Sequence, residues 1–236
     1  MTEKDFAMPR TARVAFAGIP WHIIQRGNHR GACFFSEEDY LVYLDQLKHQ
    51  SMKFDCAIHA YCLMTNHVHL LLTPDEASGP SLMMKHSGQC FVQYINRTYQ
   101  RSGTLWEGRF KSCLVQKKDY ALQCYRYIEM NPVRAAMVVH PRAYPWSSFH
   151  YNGDGAGDKL LTPPSCYTQL GTEAGERREV YRALLESRIS DKQISAIRTA
   201  TSGNYVFGNF SFQHKIANAL EKRVTPGLSG RPRKQV

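Results

Sequence analysis

Two histidines, His67 and His69, lie one residue apart in the run Met64-Thr65-Asn66-His67-Val68-His69-Leu70-Leu71-Leu72. The run is apolar and β-favouring, and in a strand successive side chains point to opposite faces. His67 and His69 therefore share one face, about 7 Å apart on a strand that rises about 3.4 Å per residue. Val68, Leu70 and Leu72 take the other face. Adjacent imidazoles on a rigid strand are the start of a divalent-metal site, but they lack a third ligand. The plainer reading is a pair of half-exposed strand histidines.

A second set of chemically useful residues recurs further on. Tyr120, Cys124, Tyr127 and Asn131 are spaced by four, three and four, which places them on one helical face. If that face meets the histidine strand, Asn131 completes a His/His/Asn set around a divalent ion. Tyr127, one turn before it, then presents a phenolic oxygen to whatever the ion holds. Such a site suits phosphoryl transfer: the cation neutralises charge on phosphate oxygens, and a tyrosine nucleophile forms a phosphotyrosine. A covalent intermediate has a purpose where a strand must be rejoined as well as cut. The alternative is that Tyr127 packs in the core and Asn131 caps the helix end. Tyr125 is the nearest rival nucleophile, on a different face from Asn131.

The elements that must position these groups can be read from periodicity. Gly18 to Gln25 reads as a first strand, and Ser36 with Glu37, Glu38 and Asp39 opens a helix running to about Lys53. Ala57–Leu63 and His67–Thr73 read as a hairpin, followed by a helix from Ser81 to about Tyr99. Phe110–Gln116 is a fourth strand. A helix from Asp119 to about Met130 should then end before Pro132. The order β-α-β-β-α-β plus a helix is the ferredoxin-like split-βαβ pattern of an α+β fold. It places the histidine strand inside an antiparallel sheet, with helices on one face and the other face free for a ligand. Three more helices are expected at 172–187, 190–200 and 211–223, the second opened by a Ser190/Gln193 capping box.

Bulk properties narrow the partner. The chain has 236 residues, 43% of them hydrophobic, and a formal charge of +10. An excess of Lys and Arg over acids points to a polyanion, with nucleic acid first. No apolar run reaches the roughly 18 residues of a membrane span, and Met1–Arg13 has no apolar core of a signal peptide. Seven cysteines without C-x-x-C spacing fit buried thiols in a reducing cytosol. The chain divides into a main domain at 8–150 that carries the candidate residues, a Gly/Asp/Pro-rich linker at 151–165, a helical region at 166–223 and a basic tail at 224–236.

Several motifs then occur in a specific order. Asn66-His67-Val68-His69-Leu70-Leu71 resembles the histidine–hydrophobic–histidine (HUH) motif of single-strand DNA transposases. Arg26-Gly27-Asn28-x-Arg30, Tyr61-Cys62-Leu63-Met64, Gly103-x-Leu105-Trp106-x-Gly108-Arg109-Phe110-Lys111, Tyr127-Ile128-x-x-Asn131-Pro132-Val133 and Pro145-Trp146-Ser147-Ser148 resemble the REP-associated tyrosine transposase branch. The resemblance covers roughly Pro9 to Tyr151. It implies a metal, Mg²⁺ or Mn²⁺, held by His67 and His69 with Asn131 as third ligand, and Tyr127 as the single catalytic tyrosine. Insertion-sequence relatives usually carry Gln where this chain has Asn131. The implied substrate is a hairpin with a single-stranded flank, cut and rejoined through a 5′-phosphotyrosine, in the bacterial cytoplasm at the nucleoid. The implied assembly is a monomer or homodimer without a membrane partner. A hairpin-binding protein that has lost cleavage is the alternative.

The expected DNA contacts are Arg26, Asn28, Arg30, Arg109 and Lys111. Trp106 is a stacking platform for an unpaired base, or else a core anchor. Arg231 and Arg233, in Gly230-Arg231-Pro232-Arg233, resemble an AT-hook that enters a narrow minor groove.

Overall fold

Apolar residues at Trp21 and Ile23 alternate with His22 and Ile24, and this two-residue period makes the first strand of a five-stranded sheet. The computed structural model describes residues 12–227. Its strands are β1 (Trp21–Arg26), β2 (Cys56–Met64), β3 (His67–Pro74), β4 (Lys111–Val115) and β5 (Val206–Phe207), in the order β2-β3-β1-β4-β5. The first four strands pair antiparallel, and β5 adds parallel to β4. The register sets Ile24 opposite His69 and Arg26 opposite His67. The histidine strand is thus an inner strand, as expected.

Two crossover helices cover one face. Helix α1 (Glu37–Lys53) opens at Ser36 as expected, and there the Asp39 carboxylate accepts from the Ser36 amide at 3.0 Å. Helix α2 (Gly79–Thr98) follows β3. Together they bury Trp21, Ile23, Val68, Leu70 and Leu72. These are the alternate residues to the histidines, so one register puts the apolar set inside and the imidazoles on the opposite face.

That opposite face is not left free. Helices α3 (Asp119–Glu129) and α8 (Asp191–Gly203) pack on it, α8 against β4 and β1. The second core joins Cys62, Leu71, Cys113, Val115 and Phe207 of the sheet to Cys124, Ile128 and Ile197 of the helices. The α8 helix opens on Ser190 and Gln193, as their capping-box spacing requires. Helix α3 ends at Glu129, before Pro132 as expected, and a short helical turn, α4 (Asn131–Arg134), follows with Pro132 in its first turn. There the missing N–H has no partner to lose.

The remaining helices are α5 (Phe149–Asn152), α6 (Ser165–Thr168), α7 (Ala174–Glu186) and α9 (Phe210–Leu220). Residues 151–165, expected as a linker, are pinned to β2: Leu160 and Leu161 are buried, and the Thr162 amide donates to the Ile58 carbonyl at 2.7 Å. A fully buried carboxylate, Glu129, ties α3 to this region. It accepts from Ser148, from Asn152 at 2.8 Å and from Tyr181 at 2.6 Å. Burial nevertheless pushes its pKa up to about 7, against the three donors. All seven cysteines are free thiols, and six are buried. Among the described residues no helix is long and apolar enough to cross a membrane.

Candidate metal and tyrosine site

The hydrogen-bond network fixes the protons of both strand histidines. His67 Nδ1 lies 2.6 Å from Asn66 Oδ1, while the Asn66 amide nitrogen donates to the Arg30 carbonyl at 3.0 Å. That orients the Asn66 oxygen toward His67, so Nδ1 carries the proton and Nε2 keeps its lone pair. His69 is fixed from the far end of the chain. The Thr201 hydroxyl of α8 donates to the Ile197 carbonyl at 2.8 Å, so its oxygen must accept from His22 Nδ1, 2.9 Å away. His22 Nε2 is then an acceptor, and His69 Nδ1, at 3.0 Å, must be its donor. His69 Nε2 is left with its lone pair.

Electrostatics hold these rings neutral. Burial, then the Arg134 charge, lowers His22 to about 3; burial, then Arg26, lowers His67 to about 4. His69 is held well below the usual histidine range by burial, with His22 and His67 adding to it. A neutral imidazole with a free Nε2 is the ligand form.

Tyr127 on α3 is 3% exposed, and its ring meets His22 and His69 edge-on at 5.6 and 5.7 Å between centroids. The Arg134 guanidinium lies over the Tyr127 ring, 4.2 Å from its centre. Arg134 also donates to the Tyr127 carbonyl at 2.8 Å and to Asn131 Oδ1 at 2.7 Å. Burial lowers the Arg134 pKa, and Tyr127 offsets part of that shift. Asn131 donates back to the Tyr127 carbonyl at 3.3 Å, so it does cap the end of α3. Its Oδ1 keeps a second lone pair. Tyr125 is fully buried beside Tyr167 and Tyr181, and its hydroxyl has no partner. A nucleophile cannot work from there.

Residues 15–131 match the family described as "Transposase IS200 like". Through this stretch, just under half of its length, the chain is similar to the IS200-like transposases. It is 26% identical over 101 residues to a Haemophilus influenzae protein assigned as a REP-associated tyrosine transposase. That match covers 39% of this chain and 57% of the relative's length, so little more than half of the relative is spanned. A solved REP-associated tyrosine transposase bound to a REP hairpin has the same fold, with a TM-score of 0.54 at 17% identity, over 66% of this chain and 99% of that one. A Deinococcus radiodurans transposase structure matches 51% of this chain and 96% of its own, at 20% identity and a TM-score of 0.36, too low to bear on the fold.

Within this IS200-like fold the basic residues fall into two groups. Arg26 is half-buried beside His67, and the turn after it brings Asn28 and Arg30 to the same end of the sheet. Gly27 makes that turn possible, because a Cβ there would stand 2.2 Å from the Gly31 carbonyl oxygen. Exposed Arg109 and Lys111 line a cavity of about 310 Å³ with Arg13, Ser202 and Asn204. Trp106 does not offer a stacking face. It is 5% exposed and packs near Tyr43 and Phe91, because the loop that carries it is bridged to Gly27 of the sheet end. Arg231 and Arg233 lie outside the described residues.

Sequence reasoning missed His22, Thr201 and Arg134. A histidine alternating with Trp21 and Ile23 was a usable signal for His22. Arg134 stands one turn beyond Asn131, just past the motif that drew attention to it. Thr201 carries no local signal at all.

Proposed function

We propose that this chain cleaves and rejoins single-stranded DNA beside a REP-like hairpin, with Tyr127 as nucleophile and a divalent ion, Mg²⁺ or Mn²⁺, held by His67, His69 and Asn131. The observation that carries this reading is Tyr127 set edge-on to His69 with the Arg134 guanidinium over its ring. The donor set fits the ion: two Nε2 lone pairs fixed by their Nδ1 partners, and the spare lone pair of Asn131 Oδ1. Among the described residues no trio of His, Cys, Asp or Glu side chains is grouped to hold a metal, so a third protein ligand must be another group, as Asn131 is. When bound, the ion would supply charge neutralisation on a non-bridging phosphate oxygen.

The chain's own residues do the rest. The Tyr127 phenol gives up its proton as its oxygen attacks phosphorus, the bond from phosphorus to the 3′ oxygen breaks, and that oxygen takes up a proton, so the departing strand leaves as a free 3′-hydroxyl. The phosphate stays as a 5′-phosphotyrosine, and attack by a 3′-hydroxyl reverses the step to rejoin a strand. Arg134 stabilises negative charge at the phenolic oxygen and on the phosphate. Arg26, Asn28 and Arg30 hold the backbone at the sheet end; Arg109 and Lys111 hold it along the groove with Arg13. Residues 8–150 form the catalytic unit in this reading, supported from below by α8. Formation of a covalent adduct on a labelled hairpin oligonucleotide tests it.

A further inference from the structure

The hairpin turn between β2 and β3 is stitched to the basic turn after β1. The Gly27 amide donates to the Asn66 carbonyl at 2.9 Å, and the Cys33 amide donates to the Thr65 carbonyl at 2.8 Å. One side chain, Asn66, adds to these backbone bonds. Its amide nitrogen reaches the Arg30 carbonyl at 3.0 Å, and its oxygen lies 2.6 Å from His67 Nδ1. The Arg30 carbonyl only accepts, so exchanging the two ends of the amide would set two oxygens against each other.

The Arg30 end braces a strained turn. His29 and Arg30 are both left-handed, at φ 52° and 58°, a conformation that residues with side chains rarely adopt in succession. Such strain persists where the surroundings over-determine it. Two bonds lie inside the turn, from the Arg30 amide to the Gly27 carbonyl at 3.0 Å and from the Gly31 amide to the Asn28 carbonyl at 2.9 Å. Among the described residues, Asn66 is the only side chain hydrogen-bonded to the backbone of either strained residue. The His67 end of the amide holds a proton in place. Without that acceptor the proton is free to move from Nδ1 to Nε2, where it blocks a metal ion.

We propose that Asn66 is a positioning residue for both halves of the site: one amide keeps the 26–31 turn in the shape that meets the DNA backbone and keeps His67 in the tautomer that meets the ion. The proposal rests on the DNA-processing reading above. The position calls for a donor and an acceptor on one short side chain, which an amide supplies. A carboxylate of the same shape supplies the acceptor alone, so aspartate at this position serves only the His67 half.

Two variants of the full chain separate the halves. Asn66→Ala loses both. Calorimetric titration with Mn²⁺, without DNA, should show about tenfold weaker binding. Fluorescence anisotropy in chelator should show about fivefold weaker binding of a hairpin with single-stranded flanks, the scale of one hydrogen bond. Asn66→Asp should bind Mn²⁺ at least as tightly as wild type, yet lose as much hairpin affinity as Asn66→Ala or more. In chelator, the ring nitrogen NMR shifts of His67 should report a protonated Nδ1 in wild type and Asn66→Asp, and a move toward protonated Nε2 in Asn66→Ala. If folded Asn66→Ala keeps both affinities within about twofold, or if the two variants lose Mn²⁺ binding alike, Asn66 only shapes the hairpin turn and the proposal is overturned. If the wild type neither binds Mn²⁺ nor distinguishes the hairpin from unrelated duplex, the DNA-processing reading fails and this one with it.

Discussion

His22 Nε2 stands 3.0 Å from His69 Nδ1, in a one-way chain of hydrogen bonds that ends on the Ile197 carbonyl of α8. The tautomer of a sheet histidine is therefore set by a helix near the other end of the chain. Partners of this kind commonly account for about 10- to 100-fold in metal affinity. Thr201→Val removes the acceptor for His22 Nδ1 and frees His22 to change tautomer. Calorimetric titration with Mn²⁺ should show weaker binding within that range, and His22→Leu should do the same. Unaltered Mn²⁺ affinity in a folded Thr201→Val protein would break the proposed link between α8 and metal binding at His69.

Arg134 touches Tyr127 and Asn131 at once. Removing a preorganised charge of this kind costs about 10²- to 10³-fold in rate. Arg134→Lys keeps a cation but loses the flat guanidinium that lies over the ring and reaches both groups. Single-turnover adduct formation at saturating DNA should slow by about a hundredfold, with DNA affinity changed much less. An adduct rate within a factor of about two of wild type, well inside the noise of such effects, would remove Arg134 from the mechanism.

Tyr125 separates the two tyrosines. Its buried hydroxyl has no hydrogen-bond partner, so Tyr125→Phe removes an unsatisfied group and should leave stability equal or higher, by up to about 1–2 kcal/mol. Urea unfolding checks this, and the variant should still form the adduct. Loss of the adduct in folded Tyr125→Phe would reopen the choice of nucleophile.

Glu129 gives stability a definite pH dependence. Its carboxyl ionises near the ordinary 4.5 in the unfolded chain and at about 7 when folded. Between those values the folded chain holds a proton that the unfolded chain has released. Stability from this group is therefore present at low pH, falls as pH rises through the window, and is level above about 7. His22 and His67, depressed when folded, act in the opposite direction below the ordinary histidine value. The contribution of Glu129 is isolated as the difference between wild type and Glu129→Gln in urea midpoint across that range. Wild type should lose ground to the variant as pH rises, and a flat difference would contradict the burial argument.

Much of this architecture is legible in local signals. The Ser36 cap with its first-turn acids and the Ser190 box mark the starts of α1 and α8, and alternation around His67 and His69 sets their shared face. Tyr127 lies on α3 and Asn131 opens α4, and their contact is the Asn131 amide on the Tyr127 carbonyl, the capping role that the four-residue spacing also allowed. What is not legible is long-range. Strand β5 is two residues long and makes no periodic signal, and Thr201 lies 179 positions from His22. The covering of the histidine face by α8 follows from that distant packing, so the sequence pattern alone left the face free. Trp106 shows the same limit: its composition suits stacking, and only the tertiary bridge to Gly27 turns its ring inward.

The account rests most heavily on Tyr127. A 3′-labelled hairpin oligonucleotide carrying single-stranded flanks, mixed with the full chain and Mg²⁺ or Mn²⁺, should yield a covalent protein–DNA band on a denaturing gel, because the strand 3′ of the cut stays on the tyrosine. Tyr127→Phe should yield none while still shifting the same oligonucleotide on a native gel. A covalent band of wild-type intensity with Tyr127→Phe would contradict the account.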